Sequence, residues 1–178
     1  LPMNVDNNVV AYHMMGVIFG TAVGDCLGIY CEGLKGDLIN IFIDQPIDIT
    51  WTHPVTTERG SYFHRGSFTD DTALMLMFIR SVVSTALKNA KKITNDDEDA
   101  FDVGRIFDQV DCGKRIQHWI LHGIDEHLDK CGYGYGNYTR EVIISNGYAE
   151  KPIEVSKKCW IDEGKSKTGN GGVMRTGA

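Results

Sequence analysis

One segment constrains this chain more than any other, the stretch Thr69–Lys88. Leu74, Leu76, Met77, Phe78, Val82, Val83 and Leu87 recur there at helical spacing and form a broad apolar face. Thr69 is a good N-cap, and Asp70 and Asp71 stand in the first turn, where the positive end of a helix dipole favours carboxylates. A helix whose face needs a packing partner follows. Val9–Tyr30, Ala100–Gln109, Gly113–Leu121, Thr139–Asn146 and Pro152–Trp160 also read as helices, the last opening with proline in its favoured first-turn position. Neither a convincing alternating strand nor an internal repeat accompanies them. The expected class is all-α, a compact multi-helix domain.

Size and charge narrow this further. At 178 residues, folding can bury about 70 % of the surface of the extended chain, enough for one core. Residues 1–178 are therefore read as belonging to a single domain. Eighteen Lys plus Arg against 24 Asp plus Glu give a net charge of −6, so there is no basic field for nucleic acid or an anionic membrane. Five scattered cysteines without a C-x-x-C pair suit reduced intracellular thiols better than a disulfide scaffold or structural zinc. Leu1–Asn8 lacks the basic start of a signal peptide. The apolar run Val9–Gly24 falls short of the roughly 20 residues that span a bilayer, so a core helix and a cytoplasmic protein are expected.

Gly16, Gly20, Gly24 and Gly28 fall at every fourth position of the first helix, near one face. Each interior glycine costs about 1 kcal/mol relative to alanine. The stripe therefore implies close approach of another backbone or a ligand, or tight helix packing alone. Cys31–Ser67 shows no period and is broken by Pro46 and Pro54; such a long loop is functional or conceals a short helix. The acidic run Asn95–Asp99 lacks the spacing of an EF-hand and reads as a solvated loop.

Three clusters could carry chemistry. Ser67-Phe68-Thr69-Asp70-Asp71-Thr72 is an N-cap in its plain structural reading; alternatively it offers several hard oxygen ligands to Mg²⁺ or Ca²⁺. Gly24-Asp25-Cys26-Leu27-Gly28 followed by Glu32 could be an ordinary helix end with a surface glutamate. Gly169-Asn170-Gly171-Gly172-Val173-Met174-Arg175 is either a simple turn or a loop presenting backbone N–H groups to a phosphate. Gly164-Lys165-Ser166 fails as a P-loop because position 159 is Cys159 rather than glycine. His118 and His122 share a helix face near His127, yet no third zinc ligand is indicated, and nothing singles out one thiol for a Cys–His pair.

In this order the clusters resemble the ADP-ribosylglycohydrolase family. Its landmarks match G-x-x-x-G-D-C-L-G-x-x-x-E (Gly20 to Glu32), F-T-D-D-T-A-L (Phe68 to Leu74), G-x-x-T-R (Gly136 to Arg140) and G-N-G-G-V-M-R (Gly169 to Arg175). The resemblance implies an all-helical domain that holds two Mg²⁺, sometimes Mn²⁺, beside an ADP-ribose cleft. By that resemblance Thr69, Asp70 and Asp71 match the first group of metal ligands. Glu32 matches the glutamate at the mouth of the metal site, which assists catalysis or gates entry. Gly169, Asn170 and Gly171, with Thr168 before them, match the loop on the ribose and phosphate side of the ligand.

Two departures stand out. Lys165, Ser166, Lys167 and Thr168 make the approach to the glycine loop more basic than the family pattern, and its C-terminal D-x-D-T-like ligand group is absent. The chain therefore reads as the N-terminal portion of the family domain. The implied activity is metal-dependent hydrolysis at the ribose anomeric carbon, releasing ADP-ribose from modified proteins or related acceptors. A non-catalytic ADP-ribose-binding or structural relative or fragment is the alternative. By itself the 178-residue chain is expected to be a poor catalyst that binds metal weakly, and that self-associates or retains a C-terminal fragment.

Overall fold

The structure, a computed structural model, describes residues 7–29, 35–36, 66–90, 106–124, 126 and 131–167. Those residues form five helices and no strand, so the fold is all-α as the sequence predicts. The helices are α1 (Asn7–Gly28), α2 (Asp70–Ala90), α3 (Gln109–His122), α4 (Asn137–Ile144) and α5 (Pro152–Asp162). The chain divides into two compact units, with the boundary between Thr72 and Ala73.

In the first unit, α1 is apolar all round rather than along one stripe, so nothing in its sequence directs one face inward. Tyr12 is 73 % exposed and Phe19 64 %, and among the described side chains of α1 only Cys26 is buried. The expectation of a core helix is therefore not met. Nor does any described residue lie within 4 Å of where a Cβ would stand at Gly16, Gly20, Gly24 or Gly28, so among the described residues the glycine stripe receives neither a backbone nor a packed helix. At 22 residues α1 is also longer than the apolar run that suggested it. By length and composition alone both α1 and α2 could cross a membrane, and the length argument against a span does not hold.

In the second unit α2 continues as a core helix. Ala73, Leu74, Met75, Met77, Ser81 and Thr85 are buried, and the Ser81 hydroxyl donates to the Asp108 carbonyl at 3.3 Å. Asp108 caps α3: its carboxylate accepts from the Val110 and Asp111 amides at 2.8 and 3.1 Å. This cap puts Gln109 at the start of α3, not at the end of a preceding helix, and residues 100–105 of the predicted helix 100–109 lie outside the described residues. Cys112, Gly113, Ile116, Trp119 and Ile120 give α3 one buried stripe.

That stripe meets α4 and α5, and the three helices pack pairwise. Two glycines allow close contact. A Cβ on Gly113 would stand 3.0 Å from Pro152 at the first turn of α5, and one on Gly132 would stand 2.8 Å from the buried Trp119 ring. The Gln117 amide donates to the Ile143 carbonyl at 2.7 Å, fixing the end of α4 against α3.

Candidate functional site

The site grows from the N-terminus of α2. The first amides of a helix have no acceptor within it, and here a carboxylate from another helix supplies one. Asp25, the single acidic residue of α1, accepts four hydrogen bonds. Its Oδ2 takes the Thr69 amide at 2.8 Å, the Thr72 amide at 3.1 Å and the Thr72 hydroxyl at 2.7 Å. Its Oδ1 takes the Thr69 hydroxyl at 2.7 Å. All of these groups belong to the first unit, and both threonines are buried, Thr72 to 1 % exposure.

The Thr69 hydroxyl is thereby oriented. Its proton goes to Asp25, while one lone pair accepts the Asp71 amide at 3.3 Å, which is the N-cap bond expected of it. A hydroxyl oxygen has two lone pairs, so one remains. Asp70 and Asp71 are half-buried in the first turn, at the positive end of the helix dipole. Thr69, Asp70 and Asp71 thus present only oxygen, a donor set whose chemistry fits a hard cation such as Mg²⁺ or Mn²⁺. Among the described residues no group of three or more His, Cys, Asp or Glu side chains is placed to hold a metal. This holds for His118 and His122 as well, whose rings lie 4.8 Å apart on α3; His127 lies outside the described residues.

Next to Asp25, the Cys26 thiol donates to the Gly66 carbonyl at 3.4 Å. Burial, then the neighbouring Asp25 charge, push its pKa up, so it stays a thiol at neutral pH rather than acting as a nucleophile.

A scan against family models finds one described as ADP-ribosylglycohydrolase, matching residues 8–178. The chain belongs to the ADP-ribosylglycohydrolase family. No curated protein and no solved structure matches it.

Of the residues that the family pattern singles out, the structure brings Thr69, Asp70 and Asp71 together on one helix turn. Glu32, Thr168, Gly169, Asn170 and Gly171 lie outside the described residues. The G-x-x-T-R segment forms the start of α4, with Gly136 at its N-cap. Before the glycine loop, α5 closes on Gly164 and Lys165, both with positive φ, and the Lys165 amide reaches back to the Trp160 carbonyl at 2.9 Å. The unusual lysines there are engaged locally. Lys165 lies over the Trp160 ring, and Lys167 lies over Tyr138 and 3.8 Å from Glu163.

Asp25 is the residue that the sequence reading undervalued as part of a helix end. A clue was available, since it is the lone carboxylate in a 22-residue apolar helix, and such a group needs hydrogen-bond partners.

Proposed function

We propose that this member of the ADP-ribosylglycohydrolase family is a metal-dependent hydrolase that removes ADP-ribose from modified proteins or related acceptors, cleaving the bond at the ribose anomeric carbon. The observation that carries this reading is the intact Thr69–Asp70–Asp71 turn, oriented by Asp25, in a chain whose family match runs over residues 8–178.

Within the proposal, Thr69, Asp70 and Asp71 hold Mg²⁺ or Mn²⁺, and a bound cation supplies charge stabilisation and an activated water. Asp25 keeps the Thr69 hydroxyl turned so that an oxygen lone pair, not the proton, is available to the cation. Glu32 moves a proton, as water activator or as acid to the leaving group. Thr168, Gly169, Asn170 and Gly171 bind the ribose and phosphate portion of the ligand, where backbone N–H groups suit an anion. The protein works in the cytoplasm, a reading supported by its odd number of scattered cysteines without a C-x-x-C pair in the sequence. The exposed apolar side chains of α1 support self-association or contact with a C-terminal fragment.

The test has two readouts, release by a form of the protein that carries the family's C-terminal ligand group and binding by the 178-residue chain. Mg²⁺-dependent release of ADP-ribose from an ADP-ribosylated peptide is measured for wild type, Asp70→Asn and Asp71→Asn, with helical circular dichroism as the folding control. ADP-ribose is also titrated while the amide signals of Gly169–Gly172 are followed by NMR, with ATP as comparison. Loss of release in folded variants supports the hydrolase. ADP-ribose binding at Gly169–Gly172 without release supports the non-catalytic relative. Release that survives both substitutions, or a stronger response to ATP than to ADP-ribose, overturns the proposal.

A further inference from the structure

The second unit contains an open cleft of about 390 Å³ on residues of α2 and α3, separate from the turn at Thr69. Its rim carries the cations Arg80, Lys114 and Arg115 beside the imidazole of His118, and its lining contains one carboxylate, Asp111. In a chain of net charge −6 this is a local reversal of sign.

The pairings within the cleft show how many donors remain. Arg115 donates to Asp111 through Nε at 2.6 Å and Nη2 at 3.4 Å. Lys88 Nζ also stands 3.8 Å from that carboxylate. Burial alone would raise the Asp111 pKa, but the Arg115 hydrogen bonds, with the Arg115 and Lys88 charges, bring it below the ordinary value and keep it ionised. Arg80 places both terminal nitrogens on Glu126, at 3.3 and 3.1 Å. Among the described residues, then, the carboxylates of Asp111 and Glu126 stand against four cations, Arg80, Lys88, Lys114 and Arg115. A guanidinium carries five N–H donors, so against the described residues Arg115 retains both on Nη1 and one on Nη2, and Arg80 retains the one on Nε and one on each terminal nitrogen. Lys114 makes no ion pair or hydrogen bond with any described residue.

We infer that this cleft binds a phosphate group carried on a small organic body. Guanidinium forks and a lysine point charge converging on a concavity suit an oxyanion with several acceptor atoms and more than one charge. The cleft is also larger than a phosphate ion needs, and Met77 gives it an apolar wall for the rest of such a molecule. The inference does not rest on the proposed hydrolase activity.

The experiment uses the 178-residue chain, with inorganic phosphate and phenyl phosphate titrated at constant ionic strength against chloride. The amide signals of Lys114, Arg115 and His118 are followed by NMR. Both phosphates are expected to shift these signals saturably, phenyl phosphate at the lower concentration. Lys114→Glu, an exposed position, is expected to raise the half-saturating concentration at least about tenfold, as for loss of a charged hydrogen bond. Lys157→Glu, on the exposed side of α5, is expected to leave it unchanged. Shifts no larger than those with chloride, equal responses of the Lys114 and Lys157 variants, or no gain from the phenyl group would each overturn the inference.

Discussion

Thr69 is tied to Asp25 by two hydrogen bonds across 44 positions of sequence, one from its amide at 2.8 Å and one from its hydroxyl at 2.7 Å. A helix end needs acceptors for its first amides, and a candidate metal turn needs its hydroxyl facing the right way. Asp25 serves both needs.

Removing that carboxylate should therefore cost more than removing an ordinary surface acid. Asp25→Ala leaves two amides and two hydroxyls of buried threonines without their acceptor, and a loss of about 3 kcal/mol is expected in urea denaturation. Asp25→Asn should fall between the two, because its NH₂ group would face N–H and O–H donors. Thr69→Ser should remain close to wild type while Thr69→Val loses about 1–2 kcal/mol, since the hydroxyl makes the cap and one of the two Asp25 bonds, and the amide bond to Asp25 survives either change. Equal stability of Asp25→Ala and wild type would refute this account of the cap.

Much of this was legible in the sequence because it is local. Thr-Asp-Asp before an apolar run gives the start of α2 within one residue, and Pro152 gives the start of α5. The Asp25 bonds were not legible, because a single carboxylate does not reveal a partner 44 residues away. The exposure of α1 was hidden for a different reason. Hydropathy measures how much a segment gains from burial, but with apolar residues on every side it does not indicate what buries it. The break expected between Gln109 and Gly113 arose from giving Gln109 to the preceding segment, whereas Asp108 closes the helix end through its own carboxylate.

The Asp111–Arg115 pair makes stability depend on acid. The folded carboxyl titrates below its ordinary value, so the pair contributes above the unfolded pKa, near 3.9, and the contribution is lost as pH falls through the lower folded value. Asp111 keeps 19 % side-chain exposure and Lys88 is largely exposed, so solvent screening holds the effect to about 0.5–1 kcal/mol. Thermal melts of wild type and Asp111→Asn should differ by a constant amount above about pH 5 and converge only as pH falls through the lowered value of the folded carboxyl. A gap that widens on acidification would have the wrong sign for this pairing.

Glycines of the two units should respond oppositely to the same substitution. At Gly132 a Cβ would stand 2.8 Å from the Trp119 ring and 2.9 Å from the Trp119 carbonyl oxygen, which belongs to the backbone and cannot swing aside. Gly132→Ala is therefore expected to destabilise by about 1–3 kcal/mol through overpacking. At Gly16 and Gly20 a Cβ meets no described residue within 4 Å, and both sit inside a helix. There alanine removes only the conformational penalty of glycine, so each substitution should stabilise the helix by about 1 kcal/mol. Urea denaturation with paired size-exclusion runs reads both effects. A loss of stability at Gly16 or Gly20, with a change in elution volume, would mean that a second surface lies against the stripe, because only a close neighbour makes an added methyl group costly there.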